Sequence, residues 1–473
     1  MQTTKTSIRP GSANLFSKLL GWLEYRSTRI LLMILAVSVA VRLILAFVLG
    51  ATLQDLPGAA DQISYHTLAI RVLGGHGFSF GEPWWPATRA GAPTAHWSYL
   101  YTFFVALLYK IFGPQPVSVR IFQALVVGVL HPYLAYRIGK EVFNEVAGLI
   151  GAGITGMYAY FIYYSALLMT EAFYITAVLG VLLSVMVLSS RLDAGAGNRK
   201  EQRTAGFVLG LCLAAAILLR QLFLVIVPFL FLWLWFTARK RGAARNLLLP
   251  LVLATLVVIA AILPFTISNM LRFHQFELLN SNAGFAFFWG NHPVHGDRFQ
   301  PILTEASGTY GELLPPELEG LDEVSLDKEL LSRGLGFVVQ DPVRYIKLSI
   351  SRIPAYFMFW PSPESSVPSN LMRAGSFGIL LPFMLFGLVL DRLRFSGVKL
   401  WILSPGGILL VFIAAYTGIH LLSWALVRYR LPVDAALVLF AAYALTWILH
   451  RLSFRGMAAT NPIEEKPRRS QAE

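Results

Sequence analysis

One cysteine in 473 residues leaves no internal disulfide to staple the chain, and that residue, Cys212, sits in an apolar run. Charge is scarce as well: Asp, Glu, Lys and Arg make up 14% of the chain, against about 25% in an ordinary soluble domain. With 56% apolar residues, that shortage excludes a solvated globule and points to an integral membrane protein. No internal repeat, low-complexity tract or metal-finger spacing is present, so solenoid and zinc-ribbon architectures fall away. The first apolar run follows about 29 mostly polar residues and lacks a small-residue cleavage pattern, which predicts a retained span rather than a signal peptide.

What the chain does have is long apolar runs. A helix needs roughly 20 apolar residues to cross a roughly 30 Å hydrocarbon core. Runs that meet or approach this length lie at about 30–50, 117–137, 146–169, 172–190, 205–219, 222–237, 247–267, 374–390, 400–420 and 431–450, which predicts about ten spans with both termini on one side. The short pair 205–219 and 222–237 is separated only by Arg220-Gln221 and is flanked by two basic clusters, RLDAGAGNRKEQR and ARKRGAAR. If both clusters are cytoplasmic, an even number of crossings lies between them, so the pair reads as a tight hairpin with Arg220 at the far side.

The net charge of +13 would suggest nucleic acid in a soluble protein, but here its placement decides. The segments 1–29, 137–145, 191–204, 238–246, 391–399 and 450–473 carry 23 Lys/Arg and 9 Asp/Glu, a net +14, and the remaining 16 basic and 17 acidic residues net −1. The excess positive charge thus gathers on one proposed side, as the positive-inside rule predicts, and no nucleic-acid partner is needed to explain it.

The expected organisation is a cytoplasmic segment (1–29), a membrane module (30–267) with a first outer loop at about 51–116, an extracytoplasmic subdomain (268–373), C-terminal membrane helices (374–450) and a cytoplasmic tail (451–473), polar enough to be disordered. Within the first loop, Tyr99–Gly113 is apolar but too short to span, and reads as a helix on or dipping into the outer surface. DPVRYIKLSISRIPAYFMFW, at 341–360, reads the same way, and the locally acidic stretch 301–333 as short helices and turns.

Asp61 precedes an amphipathic pattern of Tyr65, Leu68, Ala69, Val72 and Leu73, which places its carboxylate at a helix amino terminus. There it can cap the helix, or stay ionised and accept a proton, and the two roles are compatible. Glu171, between two apolar runs on the same predicted side, is either a first-turn residue complementing the helix dipole or a functional carboxylate. Arg120, Arg220, Arg428 and Arg430 fall at predicted outer ends of spans, against the charge bias; each could snorkel to headgroups or bind a phosphate. Arg42, inside the first span, demands a partner. Trp84, Trp85 and Trp97 suit either stacking on a sugar ring or anchoring at the interface. Asn291, in FAFFWGNHPVHGD, reads as part of a structured loop, and His292, His295 and Asp297 have a metal-ligand-like spacing that is also common in turns.

Taken in order, Asp61 with Tyr65, Phe112-Gly113 with Arg120, Met169–Glu171, Leu218–Arg220, Gly284–Asn291 and Arg428–Pro432 resemble the motifs of the GT-C glycosyltransferases. The chain is similar in particular to bacterial glycosyltransferase family 39, the relatives of protein O-mannosyltransferases and of the lipid A aminoarabinose transferase. The resemblance covers about residues 30–450. It implies an all-α polytopic fold with juxtamembrane helices in the first outer loop, in a bacterial inner membrane with the active site outside. It implies transfer of a sugar from a polyprenyl-phosphate carrier to a lipid, glycan or protein acceptor, usually with inversion. Asp61 would then be the catalytic carboxylate, Arg120, Arg220, Arg428 and Arg430 would hold the donor phosphate, and Tyr65, Trp97 and Asn291 would contact substrate. Many relatives have Asp-Glu where this chain has Asp61-Gln62, so a second catalytic carboxylate would have to be Glu171. A divalent metal ion is left open by the resemblance.

Two other classes fit a polytopic chain with outer arginines. A transporter or flippase of lipid-linked glycans should carry ionisable groups along several spans, whereas here span interiors hold little beyond Arg42, His131 and Asp434. A non-catalytic scaffold would not require the Asp and Arg positions to share a side.

Overall fold

The computed structural model describes residues 15–53, 59–192, 199–301, 303, 309–363 and 365–459, with side chains as far as Ser453. The first 14 residues of the expected amino-terminal segment, the centre of the 191–204 basic cluster and the end of the predicted disordered tail lie outside these residues. The chain is a polytopic bundle of helices, and among the described residues only two isolated bridges, Ser79 to Pro93 and Trp84 to Thr88, have strand character.

Among the described residues, eight helices are long and apolar enough to cross a membrane: Ser27–Leu49, Pro116–Val142, Glu171–Leu192, Arg199–Leu219, Gln221–Lys240, Ala244–Phe273, Val367–Leu393 and Val427–Ser453. A ninth span is bent by 54° between Glu145–Met157 and Ala159–Ser165. The remaining expected run, 400–420, becomes the shorter helix Gly407–Leu422 of 16 residues. The two short runs form separate spans, Arg199–Leu219 and Gln221–Lys240, broken at Arg220, whose extended conformation (φ −149°, ψ 107°) ends one helix and begins the next.

Small residues set the closest helix approaches. A β-carbon at Gly206 would stand 2.6 Å from the Pro250 backbone, and one at Gly210 would stand 2.9 Å from Cα of Ala254, so Arg199–Leu219 and Ala244–Phe273 meet backbone to backbone along a small-xxx-small stripe.

The bend at Tyr158 gives Arg42 its partner. A break in a span frees backbone carbonyls that lipid cannot satisfy. Arg42 Nη1 donates to the Gly156 carbonyl at 2.7 Å, and also to Ser38 Oγ at 2.6 Å and the Ser38 carbonyl at 3.1 Å. Tyr158 in turn donates its hydroxyl to Asp434 Oδ2 at 2.8 Å.

The polar segments build a layer at one end of the bundle. It contains helices Asp61–Leu73 and Tyr99–Phe112, then Ala283–Asn291, Glu323–Gln340 and Pro342–Tyr356. Helix Pro342–Tyr356 buries Leu348, Arg352 and Tyr356 and exposes Val343, Ile346, Ile350 and Ile353, the one-sided pattern of a helix lying along an apolar surface. The first loop is fastened to this layer by buried Glu323, whose Oε2 accepts from the Thr88 hydroxyl at 2.6 Å and whose Oε1 accepts from Ala95 N at 2.8 Å and Ser281 Oγ at 2.5 Å.

Candidate active site

Helix amino termini and span ends bring four charged side chains together. Asp61 is the first residue of helix Asp61–Leu73, and Glu171 the first residue of helix Glu171–Leu192. Arg220 occupies the extended break between two spans, and Arg428 lies in the short 3₁₀ turn Val427–Arg430 that opens the last span. Arg428 Nη1 donates to Asp61 Oδ2 at 2.9 Å, and Arg220 Nη2 donates to Glu171 Oε1 at 2.5 Å. The ring of Tyr429 joins the pairs, with the Arg220 guanidinium 5.6 Å and the Arg428 guanidinium 5.2 Å from its centroid. The ring stacks in turn on His420, centroids 5.0 Å apart. Cations held over aromatic faces lose mobility while keeping donors for an anion.

The two pairs differ in access. Glu171 is 2% exposed and its partner Arg220 17%, whereas Asp61 and Arg428 are 27% and 20% exposed. Arg220 is fixed further by Thr170 Oγ1, which accepts from its Nε at 3.3 Å, and by the Tyr174 ring 5.1 Å away. Burial works against the Arg220 charge, but the Glu171 carboxylate outweighs it and raises the guanidinium pKa. The Asp61 carboxylate, on the first residue of its helix, turns to Arg428.

Arg120 and Arg430 are engaged elsewhere. Arg120 is fully buried and donates to four backbone carbonyls, Ala166 at 2.9 Å, Gly50 at 2.5 Å, Leu49 at 3.2 Å and Thr52 at 2.9 Å, with Gln62 Oε1 at 3.4 Å. It clamps the start of the first loop to the bundle. Arg430 is also fully buried, paired with Asp434 at 2.8 Å and donating to the Tyr356 and Met358 carbonyls, with the Phe377 ring 3.5 Å away. The sequence grouped four arginines by position; the structure places two of them at the carboxylates and two among internal acceptors.

The expected substrate contacts separate in the same way. Tyr65 lies one turn along from Asp61 on its helix, packed edge-on against Trp97 (5.4 Å) and Tyr101 (4.8 Å), and burial, with Asp61 adding to it, raises its hydroxyl pKa. From Trp97 the aromatic contacts continue through His96 (5.2 Å) and Trp85 (5.5 Å) to Trp289 (5.4 Å), where Trp85 remains half exposed. Trp84 instead fixes the loop to the helix by donating Nε1 to Ser64 Oγ at 2.9 Å. Asn291 is a buried tie: its Oδ1 accepts from Arg352 Nη2 at 2.8 Å, and its carbonyl accepts from Arg344 Nη2 at 2.6 Å.

His292, His295 and Asp297 do not converge. His292 Nδ1 accepts from Val294 N, His295 Nε2 faces the Trp289 carbonyl at 2.9 Å and Asp297 pairs with Lys347. Among the described residues no three His, Cys, Asp or Glu side chains group as metal ligands, and the two site carboxylates already face guanidinium groups. The described residues do not form a cation site. Sequence reasoning overlooked Tyr429 and Glu323; flanking arginines at a span start were the signal for the first, and nothing marked the second among its acidic neighbours.

The chain has the fold of the GT-C glycosyltransferases. Residues 97–267 match the family model of dolichyl-phosphate-mannose-protein mannosyltransferases. The archaeal oligosaccharyltransferase AglB from Archaeoglobus fulgidus, in complex with an inhibitory peptide and a dolichol-phosphate, superposes with a TM-score of 0.59 at 17% identity over 94% of this chain and 53% of that one. The same oligosaccharyltransferase in its apo form gives a TM-score of 0.60 at 16% identity over 92% and 52% of the two chains. The present chain therefore spans about half the length of those structures. ArnT from Cupriavidus metallidurans bound to undecaprenyl phosphate matches at 13% identity over 90% of this chain and 78% of that chain, with a TM-score of 0.40. No curated protein matches the chain by sequence.

Proposed function

We infer that the protein transfers a sugar from a polyprenyl-phosphate-linked donor to an acceptor hydroxyl on a lipid, glycan or protein, at the extracytoplasmic face of a bacterial plasma membrane. The observation that carries this reading is the quartet of Asp61, Glu171, Arg220 and Arg428 at one end of a GT-C bundle. Arg428 and Arg220 hold the donor phosphate, whose negative charge grows as the bond to the anomeric carbon breaks. The acceptor oxygen forms the new bond to that carbon, and the departing polyprenyl phosphate keeps the electron pair of the old one. Asp61 accepts the acceptor proton, and attack opposite the leaving phosphate inverts the anomeric centre. Glu171 keeps Arg220 charged and aimed. Arg120 and Arg430 act as positioning residues, through the first loop and the last span.

The gathering of positive charge in the segments at the other end supports the extracytoplasmic placement. The ionisable groups inside the spans favour chemistry at one face over a transport path. Arg42 is bound to Ser38 and Gly156, His131 Nε2 contacts the Ala172 carbonyl at 2.9 Å, and Asp434 is held by Arg430 and Tyr158. Each is a tie between helices rather than the lining of a channel.

The test is sugar transfer from a polyprenyl-phosphate-linked donor by purified protein. Asp61→Asn should fold normally and lose at least about 100-fold in rate, the usual contribution of a general base; full activity would sink the catalytic assignment. For the side of the membrane, Ala90→Cys in a Cys212→Ser background places a thiol at an exposed site in the first loop. Labelling by an impermeant reagent added outside intact cells is expected, and labelling only from the cytoplasm would overturn the topology.

A further inference from the structure

The proposed base and one of the proposed phosphate-binding cations are bonded to each other, Asp61 Oδ2 to Arg428 Nη1 at 2.9 Å. The guanidinium is incompletely used: its Nη2 reaches only the Tyr429 hydroxyl at 3.5 Å, and its buried Nε has no partner. Asp61 therefore engages Arg428 through a single oxygen, whereas a phosphate offers two oxygens to the guanidinium fork. The pair is also the accessible one of the two, since Glu171 is closed off beneath Arg220. Two carboxylates against two guanidiniums leave the site with no surplus positive charge for an incoming anion unless one carboxylate is displaced.

Resting on the proposed donor chemistry, we propose that the Asp61–Arg428 ion pair is a latch that the donor phosphate opens, so that Asp61 becomes a competent base only after the donor has bound. While Asp61 Oδ2 is bonded to Arg428 Nη1, that oxygen is committed to the guanidinium rather than to an acceptor hydroxyl. Transfer of Arg428 to the phosphate removes that restraint and turns the freed carboxylate toward the acceptor hydroxyl. The Tyr429 ring holds the guanidinium in place during the exchange, and Arg220 stays locked to Glu171 as the fixed half of the phosphate site. The latch gives the reaction an order, donor before proton removal.

The experiment measures binding of undecaprenyl phosphate to purified full-length protein in lipid nanodiscs. A competitor removed from Arg428 should tighten binding, so Asp61→Asn is expected to bind about tenfold more strongly than wild type, and the gain should vanish in an Arg428→Ala background. Equal or weaker binding by Asp61→Asn, or a gain that persists without Arg428, would overturn the latch. Arg428→Lys keeps the charge and provides a second background should Arg428→Ala fail to fold; it should shrink the gain, and an undiminished gain counts against the proposal. Loss of transfer by Asp61→Asn with unaltered affinity would leave the base assignment standing and remove only the latch. Failure of the wild type to bind undecaprenyl phosphate at all would instead remove the donor reading on which the latch rests.

Discussion

Replacing Arg430 by methionine should separate structural from ligand-binding arginines in this protein. The pair it forms with Asp434 is fully buried on both sides, with Arg430 Nε 2.8 Å from Asp434 Oδ1 and the Tyr158 hydroxyl 2.8 Å from Oδ2. Removing one partner of a buried pair costs about 3–5 kcal/mol, because the remaining charge has lost its compensation. The substitution also deletes the donors to the Tyr356 and Met358 carbonyls, while Tyr158 still partners the carboxylate, so the low end of that range is expected. Replacing both partners, Arg430→Met with Asp434→Leu, should recover most of the loss, since apolar substitutes for a buried pair are often neutral. The partly buried Cys212, the sole thiol, supplies the assay: its reaction with a thiol dye on heating marks unfolding in detergent. A single variant that melts like wild type while losing affinity for undecaprenyl phosphate would refute the reasoning and return Arg430 to the ligand.

Arg120→Lys should loosen the first loop, because one ammonium cannot reach the four carbonyls that the guanidinium spans; limited proteolysis of that loop should quicken, and an unchanged cleavage rate would speak against the clamp. Burial of Asp327 pushes its pKa from 3.8 up to about 7, so the folded state binds its proton more tightly than the unfolded state does. That contribution to stability is complete below pH 3.8 and is lost as pH rises through about 7. Asp327→Asn should therefore flatten the pH dependence of the melting temperature across this window, and parallel curves for the two proteins would refute the assignment.

The spans were legible because hydrocarbon thickness acts on composition and length alone. Helix Asp61–Leu73 and the break at Arg220 were legible for a similar reason, since each leaves a local pattern. The bend at Tyr158 was not, because no proline marks it and its stability comes from Arg42 and Asp434, far away in the chain. The site was legible as a set of residues but not as pairs. Asp61 and Arg428 are 367 positions apart, and nothing in a linear order says that Arg428 meets a carboxylate while Arg430, two residues on, turns to Asp434 and main-chain carbonyls. Guanidinium groups that bind carbonyls have partners with no sequence signature, which is why Arg120 was placed with the phosphate ligands.

Arg42 also bears on how the protein is assembled in the bilayer. An arginine near the middle of a span opposes membrane insertion by about 2.5–3.5 kcal/mol. When the first span is made, Ser38, four residues earlier on the same helix, is the only one of its partners yet synthesised. The Gly156 carbonyl is exposed for bonding only once the bent span has been made and has broken at Tyr158. The hydrogen bond from Arg42 to the Gly156 carbonyl therefore ties the first span to the bent one and can form only after both have been made.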